Sequence, residues 1–536
     1  MAATAESPEP ASVAPQPVGA LAPLRRAVFR ALWIAALASN VGTWMQEVGA
    51  AWLMTSLTPS PFLVTLIQVG SSLPMFLLAV PSGALADILD RRRLLLLTQT
   101  WMLVAATVLG ALTLAGDVTP PILLAVTFAM GMGVALNGPA WQAIVSDLVP
   151  RSELPAAIAL NSAGFNSARA IGPALGGLVV AAAGPGPAFL LNAASFLGTV
   201  FVLYRWQRRV PASPLPAERL VGAMRGGLRY VRYTPELRAV IVRAAGFIVF
   251  AIALLALLPV IARVELGRGP GAFGVLLGAL GAGAVTGAAL RARLRELLSG
   301  EHLIRVGALV FAVCCLAVAH GHSFPLVCGA MWIAGICWLT LISSFHVAVQ
   351  SAVAGWVRGR VLSVYLLVFA ACMALGSATW GALASWVGAP WSLSAAALGL
   401  VVTQPLLGRF RLPALEGPDL SPTTFTPAPR VDLPLDRGPV MVTVRYEVAD
   451  ADRVVFESVM SEMEQLRRRN GAIGWSLYED PEAVGVLVEV FLVESWAEHL
   501  RQHERATKSD AAIRDRARVL HRGAEPPQVA HLLAVE

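Results

Sequence analysis

Two charged side chains stand inside long apolar stretches of this sequence, Glu47 in the stretch 29–54 and Arg169 in the stretch 156–183. Charge is costly in apolar surroundings, so an ionisable group there usually has a role. A carboxylate is suited to take up and release a proton, and a guanidinium is suited to tune that carboxylate or to bind an anion. A purely structural pair of Glu47 and Arg169 explains the two residues equally well.

Uncharged polar side chains share these apolar stretches. We take Asn40, Gln142 and Asn166 as candidates to line a cavity together with Glu47. Similar side chains occur at Gln46, Asn137, Asn161, His346 and Gln350. Hydrogen bonds between neighbouring helices account for such residues just as well, so their roles stay open.

The segment GALADILDRRR, residues 83–93, places five charges between two apolar stretches. Arginines beside an apolar span hold that end of the span on the cytoplasmic side of a membrane. Gly83 allows a neighbouring helix to approach closely, and Asp87 is placed to face a helix N-terminus or an arginine. Topology alone explains Arg91–Arg93, whereas the glycine and the aspartate indicate a contact.

Other residues that could do chemistry are scarce. A phosphate-binding loop needs Gly-Lys-Ser/Thr, and the only lysine, Lys508, follows Ala-Thr, so no ATPase site of this type is expected. His499 and His503 are one helical turn apart, but an obvious third metal ligand is missing, which favours a solvated or dimer-facing pair. We therefore expect no catalytic residue, no metal and no cofactor.

The composition indicates which elements must position these residues. Hydrophobic residues make up 56% of the chain and charged residues 14%, whereas soluble domains have about 25% charged residues. The chain is therefore predicted to lie in a lipid bilayer, where a helix needs about 20 apolar residues to cross. Twelve stretches are predicted to be such helices: 29–54, 62–82, 94–115, 121–145, 156–183, 187–204, 240–262, 272–290, 303–320, 324–349, 361–387 and 391–408.

The loops between these stretches alternate in charge. Arginines concentrate in one set of loops, which includes Arg91–Arg93 and the segment 205–243, while the other set contains only Arg263 and Arg268. Because positively charged loops stay cytoplasmic, both ends of the membrane part are predicted to be inside the cell. Arginines that follow the membrane in this way also argue against binding of nucleic acid.

The first six stretches and the last six are repeats of each other. At an offset of 204 residues, Pro121 coincides with Pro325, and seven pairs of glycines coincide without a gap. These pairs are Gly42/Gly246, Gly70/Gly274, Gly83/Gly287, Gly131/Gly335, Gly172/Gly376, Gly177/Gly381 and Gly184/Gly388. Six spans per half make the repeats parallel, which is the arrangement of proteins that work by alternating access.

With these features the chain resembles the major facilitator superfamily. Gly83-x-x-x-Asp87 followed by Arg91–Arg93 is similar to the superfamily signature Gly-x-x-x-Asp-Arg-x-Gly-Arg-Arg, with Ile88 and Asp90 as departures. The form GALAD-x-x-DRRR, with GTWMQ at 42–46, resembles a bacterial subgroup that includes the enterobactin exporter. The resemblance implies an all-α fold of twelve transmembrane helices in two six-helix repeats. It also implies proton-coupled efflux of a siderophore or drug-like compound across the bacterial inner membrane.

The resemblance further implies that the loop signature is a conformational latch. Gly83 and Asp87 would form its centre, with Asp87 meeting the start of the eleventh stretch. Arg91 to Arg93, with Arg91 and Arg92 as the main candidates, would pair with Asp147 at the end of the fourth stretch.

A second motif lies in the fifth stretch. Gly172-Pro173-x-x-Gly176-Gly177 resembles the exporter-type signature of the superfamily, although Ala168 stands where a further glycine is expected. An ordinary proline kink in a packed helix is the alternative.

After Arg411 the composition changes. Residues 412–439 form a proline-rich linker, and the pattern of 440–536 is β-α-β-β-α-β, which predicts an α+β ferredoxin-like domain. This domain resembles the dimeric antibiotic-biosynthesis-monooxygenase type. We expect it to be regulatory or to allow dimerisation.

These features divide the chain into a tail 1–24, a first half 25–205, an arginine-rich connector 206–239, a second half 240–411, the linker 412–439 and a cytoplasmic domain 440–536. The expected function is secondary transport, with lipid, a small-molecule substrate and protons as partners. Two alternatives remain, a membrane-tethered oxidoreductase that acts through the C-terminal domain and an importer of the same fold.

Overall fold

The computed structural model describes residues 19–150, 152–206, 220–410, 419–421, 423 and 434–534. The contacts within the chain group it into two compact units. One unit comprises residues 1–57, 81–213 and 268–281, and the other comprises residues 58–80, 214–267 and 282–536.

The first unit is helical. It contains α1 (Ala27–Leu57), the end of α2 (Pro61–Ile88), α3 (Arg91–Ala115), α4 (Pro120–Leu148), α5 (Leu154–Ala183), α6 (Pro185–Arg205) and the start of α9 (Pro270–Leu297). Proline lies in the first turn of α4, α5 and α6, where its missing N–H costs nothing. Asp90 caps α3, since its carboxylate accepts a hydrogen bond from the Arg93 N–H at 2.9 Å. This departure from the superfamily signature therefore has a local structural reason.

The second unit contains the rest of α2 and α9 and five further long helices. These are α8 (Pro235–Val260), α10 (Gly300–His320), α11 (Phe324–Ser351), α12 (Arg358–Val387) and α13 (Ala389–Leu407). A short helix, α7 (Leu220–Arg232), lies in the predicted connector 206–239, and α8 begins inside that connector as well. The sequence prediction had missed α7, although its leucines, valines and arginines follow a helical period.

Twelve long helices thus occupy the described part of 27–407, as the sequence predicts. Ten of them are long and apolar enough to cross a membrane. The other two, α1 and α5, are 31 and 30 residues long but less apolar. They are the helices that carry Glu47 and Arg169, so their lower hydropathy coincides with the candidate site.

The C-terminal part is an α+β domain in the second unit. Its elements are β1 (Val440–Glu447), α14 (Arg453–Asn470), β2 (Ala472–Glu479), β3 (Val486–Val493), α15 (Trp496–Glu504), α16 (Lys508–Val519) and β4 (Gln528–Leu533). The antiparallel sheet has the order β2-β3-β1-β4. One face of the sheet packs on the helices through a core that includes Val442, Phe456, Met460 and Phe491. The predicted ferredoxin-like domain is confirmed, with its second helical segment divided into α15 and α16.

Candidate functional site

Helices α1 and α5 are packed backbone to backbone, and the small residues of α5 make this possible. A Cβ atom added to Gly172 would lie 2.6 Å from the Trp44 Cβ, and one added to Gly176 would lie 2.8 Å from the Met45 Cα. Glycine is therefore required at both positions of the motif. The contact fixes the α1 segment that carries the candidate carboxylate.

Glu47 and Arg169 are near each other in this arrangement. Glu47 is exposed, although Gln46 and Val48 on either side of it are buried. The guanidinium carbon of Arg169 lies 5.7 Å from the centre of the Trp44 ring, a cation–π distance. Glu47 and Arg169 interact electrostatically, but within the described part of the chain no hydrogen bond or ion pair joins them. The two roles proposed for Glu47 from the sequence both stay predictions.

The three polar candidates near these helices are accessible. Asn40 is half-buried, and Gln142 and Asn166 are exposed. The Asn166 amide donates to the carbonyl of Ser162 in its own helix at 2.8 Å. Among the described residues, none of the three makes a hydrogen bond to a neighbouring helix, and their role as cavity-lining residues stays a prediction.

Two other polar residues hold helices together. The Asn192 amide in α6 donates to the Gln46 side chain in α1 at 2.6 Å, and both residues are buried. Asn137 of α4 accepts hydrogen bonds from Thr98 and Gln99 of α3, each at 3.2 Å. The structure therefore assigns Gln46 and Asn137 to contacts between helices. From the sequence alone, these two residues could not be distinguished from residues that line a cavity.

Gly177, the last residue of the helix-5 motif, faces α9. A Cβ atom added to Gly177 would lie 2.6 Å from the Gly274 Cα. In the second unit, Gly381 is the repeat partner of Gly177, and a Cβ atom there would lie 2.8 Å from the Thr65 Cβ of α2. Both contacts therefore pair the C-terminal half of one helix with the N-terminal half of another. Pro173 lies inside α5 at the same level.

The first residues of α3, which follow the loop after α2, make contacts within the first unit. Arg91 forms the expected ion pair with Asp147, with the Nη1 and Oδ2 atoms 3.5 Å apart. Arg92 is placed elsewhere, because its guanidinium donates to the carbonyls of Leu203 and Tyr204 at 2.8 and 2.7 Å and so caps α6. The side chains at positions 83 and 87 lie outside the described part of the structure, so the latch role of Gly83 and Asp87 stays a prediction.

In the histidine pair of the C-terminal domain, His499 is buried and His503 is half-buried. The Nε2 atoms of His499 and His503 are 3.4 Å apart, and the His531 ring lies 4.7 Å from the His499 ring. Burial and the two neighbouring imidazoles lower the pKa of His499 to about 3, so this ring is neutral at pH 7. The solvated or dimer-facing pair favoured by the sequence is thus wrong for His499, which is buried within its own chain. In the described part of the chain no cluster of His, Cys, Asp or Glu is arranged to hold a metal.

Solved structures with a similar backbone are membrane transporters. A bacterial homologue of the human lysosomal transporter Spinster, in an inward-facing and unoccupied conformation, matches with a TM-score of 0.59 at 17% identity, covering 72% of this chain and 98% of that one. A transporter of the POT family matches with a TM-score of 0.58 at 14% identity, covering 71% of this chain and 95% of that one. The protein therefore shares the fold of these transporters.

The family follows from the sequence. The profile described as transmembrane secretion effector matches residues 18–536, and the chain belongs to this family of major facilitator transporters. It is 22% identical to the staphyloferrin A transporter of Staphylococcus aureus, over 61% of this chain and 82% of that protein. It is 25% identical to the multidrug efflux pump Tap of Mycolicibacterium fortuitum, over 72% and 95%. It is 26% identical to the enterobactin exporter EntS of Shigella flexneri, over 71% and 90%.

Proposed function

We propose that this transporter exports a small organic compound, a siderophore or a drug-like molecule, across the bacterial cytoplasmic membrane in exchange for protons. The similarity to an enterobactin exporter and to a multidrug efflux pump supports the direction and the substrate class. The arginine-rich loops support an orientation in which both termini are cytoplasmic.

The observation that carries the proposal is the exposed carboxylate of Glu47 on a membrane helix. An acidic side chain that faced lipid at this depth would cost several kcal/mol. We infer that Glu47 faces a water-filled pathway, where a proton and a substrate can both reach it. Asn40 lies two helical turns before Glu47, so it falls on the same face of α1 and extends this polar surface.

Exchange requires that the proton and the substrate exclude each other. A substrate group that donates hydrogen bonds to the Glu47 carboxylate binds only while Glu47 is ionised. A proton that arrives from outside neutralises the carboxylate and releases the substrate. We assign Arg169 the role of tuning Glu47, because its positive charge lies close to this carboxylate.

Alternating access requires closely packed helices to separate. The contacts of Gly177 with Gly274, and of Gly381 with Thr65, involve the helix ends that lie away from the arginine-rich loops. We assign these two pairs to the outer gate, because small residues allow close packing without strong bonds that would resist opening.

Transport by purified protein in lipid vesicles with an imposed pH gradient tests this function. We expect flux of a siderophore or a drug-like compound that depends on the gradient. Glu47→Gln is expected to lose the proton-driven flux and to keep exchange of substrate for substrate. The control Asp117→Asn removes an exposed carboxylate in the loop between α3 and α4 and should change neither.

The possible outcomes separate the alternatives. Undiminished gradient-driven flux in Glu47→Gln removes Glu47 as the proton carrier. If the substrate moves in the same direction as the protons, the protein is an importer. If no substrate flux is coupled to protons, the proposal as a whole is contradicted.

We also propose that the C-terminal domains of two copies pair through the outer face of the sheet. Met441 lies between Leu492 and Leu532 on this face, which is opposite the core residues Val440 and Val442. Leu532 is 53% exposed, and Met441 and Leu492 are half-buried, so a partly exposed apolar strip crosses three strands.

Size measurement of the full chain in detergent tests the pairing. Met441→Lys and Leu532→Lys are expected to convert a dimer into a monomer. The control Val454→Lys alters an apolar residue of α14 that is 79% exposed and should leave the dimer intact. A monomeric wild-type chain contradicts the pairing.

A further inference from the structure

Five residues join the C-terminal domain to the start of α12, and we call them the clamp: Arg229 and Tyr230 of α7, Trp356, Glu498 and Arg505. Trp356 lies in the 3-10 helix Gly355–Val357, directly before α12. The guanidinium carbon of Arg505 lies 4.4 Å from the centre of the Trp356 ring. Arg505 is 9% exposed, so this cation–π contact is largely desolvated and among the stronger of its kind.

Glu498 connects the domain to α7. Its Oε1 atom accepts hydrogen bonds from Arg505 at 2.5 Å and from Arg229 at 3.5 Å. Arg229 also donates to the carbonyl of Gly471 at 3.5 Å, and Arg505 donates to the carbonyl of Asn470 at 3.2 Å. One carboxylate therefore bridges two arginines from distant segments, and charge-assisted hydrogen bonds of this kind are the stronger ones.

Tyr230 extends the contact to the connection before α12. It is 1% exposed, and its hydroxyl accepts a hydrogen bond from the Ala354 N–H at 3.3 Å. Its ring meets the Trp356 ring edge-on, with the ring centres 5.8 Å apart. A Cβ atom added to Gly227 would lie 3.0 Å from the Arg360 Cβ, so α7 also packs tightly on the first turn of α12.

Helix α12 is continuous from the clamp to its contact with α2. It has 30 residues and no internal proline, which gives a length of about 45 Å. Near its far end Gly381 packs on Thr65, and the Phe62 N–H donates to the Ser385 hydroxyl at 3.2 Å. A helix without a hinge that is held at one end restricts movement at the other.

We propose that the C-terminal domain restrains α12 in the conformation described here, and that opening of the clamp shifts the transporter out of it. A contact made in one state of a cycle and absent from another stabilises the first state by the free energy of that contact. For a desolvated cation–π pair, loss of the contact corresponds to a shift of roughly tenfold in the equilibrium. The domain thereby becomes a regulatory part of the transporter, a role that goes beyond transport itself.

Hydrogen exchange of the full-length protein in detergent tests this role, and it needs no substrate. Trp356→Ala and Arg505→Ala are each expected to raise exchange roughly tenfold at α7 and also at the far contact, residues 61–65 and 381–385. The double variant should show less than the sum of the two single effects, because both changes remove the shared contact between Arg505 and Trp356. Trp356→Phe keeps an aromatic face and is expected to remain near the wild type.

The matched control is Arg501→Ala. Arg501 pairs with the same Glu498 from the same helix, at 3.3 Å, but is 49% exposed and outside the clamp. Arg501→Ala should leave exchange unchanged at α7 and at residues 61–65 and 381–385. Exchange at β1 and β3 should be the same in all variants, which would show that the C-terminal domain stays folded.

Two outcomes would contradict the proposed restraint. In the first, exchange becomes faster at α7 but is unchanged at residues 61–65 and 381–385. In the second, the variants exchange at the same rate as the wild type both at α7 and at these residues. If Trp356→Ala disturbs the fold, Arg505→Lys provides the same comparison, since lysine keeps the charge but loses the planar stacking. Because the exchange measurement is independent of flux, a failure here differs from a failure of the transport proposal.

Discussion

The two six-helix halves share their packing positions but not their charges. Gly172 packs on α1, and its repeat partner Gly376 packs on α8, where an added Cβ atom would lie 2.7 Å from the carbonyl oxygen of Val249. Gly184 and Gly388 each precede the last helix of a half, with φ values of +83° and +87°. A glycine fixed by a neighbouring backbone or by a positive φ resists replacement in either half, so these positions survive the duplication.

Three residues of the candidate site, Glu47, Arg169 and Asn40, have apolar repeat partners, whereas Gln142 corresponds to the polar His346. At the offset of 204 residues, Glu47 corresponds to Ala251, Arg169 to Met373 and Asn40 to Ala244. Ala251 is fully buried, whereas Glu47 is exposed. In the proposed mechanism one proton site per transporter is sufficient, and the second half keeps the scaffold but has apolar packing at the equivalent place.

The largest expected effect comes from placing a carboxylate at the second-half position. Ala251→Glu buries a charge among apolar side chains of α8 and should destabilise the protein by about 3 kcal/mol. We expect a clear fall of the melting temperature in detergent, and a smaller fall for Ala251→Gln, which has the same size without the charge. If Ala251→Glu is as stable as the wild type, this face of α8 is accessible and the two halves are more alike than their burial indicates.

Much of the fold was predictable because apolar length and turn residues determine it locally. The predicted stretch 324–349 is α11 at Phe324–Ser351, and the predicted stretch 240–262 begins five residues after Pro235, where α8 starts. Helix α7 was missed in the connector 206–239, because a short amphipathic helix among arginines has the composition of a charged loop. The ferredoxin-like order was predictable for the same reason as the helices, because alternation with period two marks each strand.

The site was predictable only in its residue types. Glu47 and Arg169 are conspicuous in the sequence, but their separation depends on the close packing of α1 on α5. Gln46 and Asn40 look equivalent in the sequence, and only the position of Asn192 in α6 assigns Gln46 to a helix contact. The contact of Arg505 with Trp356 joins segments far apart in the chain, so no local pattern could reveal it.

The next effect tests the shared scaffold. Gly177→Ala and Gly381→Ala each force a Cβ atom against a neighbouring helix, and each should cost about 1–3 kcal/mol. We expect similar falls of the melting temperature for the two variants. Gly198→Ala is the control, because no atom lies within 4 Å of the added Cβ atom there. If one of the two glycines tolerates alanine as well as Gly198 does, the scaffold is not symmetric.

An effect of comparable size concerns the arginine of the second half that caps its last helix. Arg243, 5% exposed, donates to the carbonyl of Leu407 at 3.0 Å and to both carboxylate oxygens of Glu301. Arg243→Gln should cost about 1.5–3 kcal/mol, because it removes hydrogen bonds to a charged group. Adding Glu301→Gln should restore part of the melting temperature. If the second change lowers it further, the ion pair is not what Arg243 contributes.

The smallest expected effect is at the equivalent place of the first half. Leu203 corresponds to Leu407 in the repeat, and its carbonyl is capped by Arg92 from α3 rather than by a residue of α1. In each half, an arginine thus places its positive charge at the equivalent carbonyl of the last helix, but the two arginines come from helices that are not repeat partners. This indicates that the positive charge at the helix end is needed, whichever helix supplies it. Arg92→Gln should cost only about 0.5–1 kcal/mol, since Arg92 is less buried than Arg243 and has no bidentate carboxylate. A loss of melting temperature as large as that of Arg243→Gln, with none for the exposed control Arg93→Gln, would instead assign Arg92 a part in the latch.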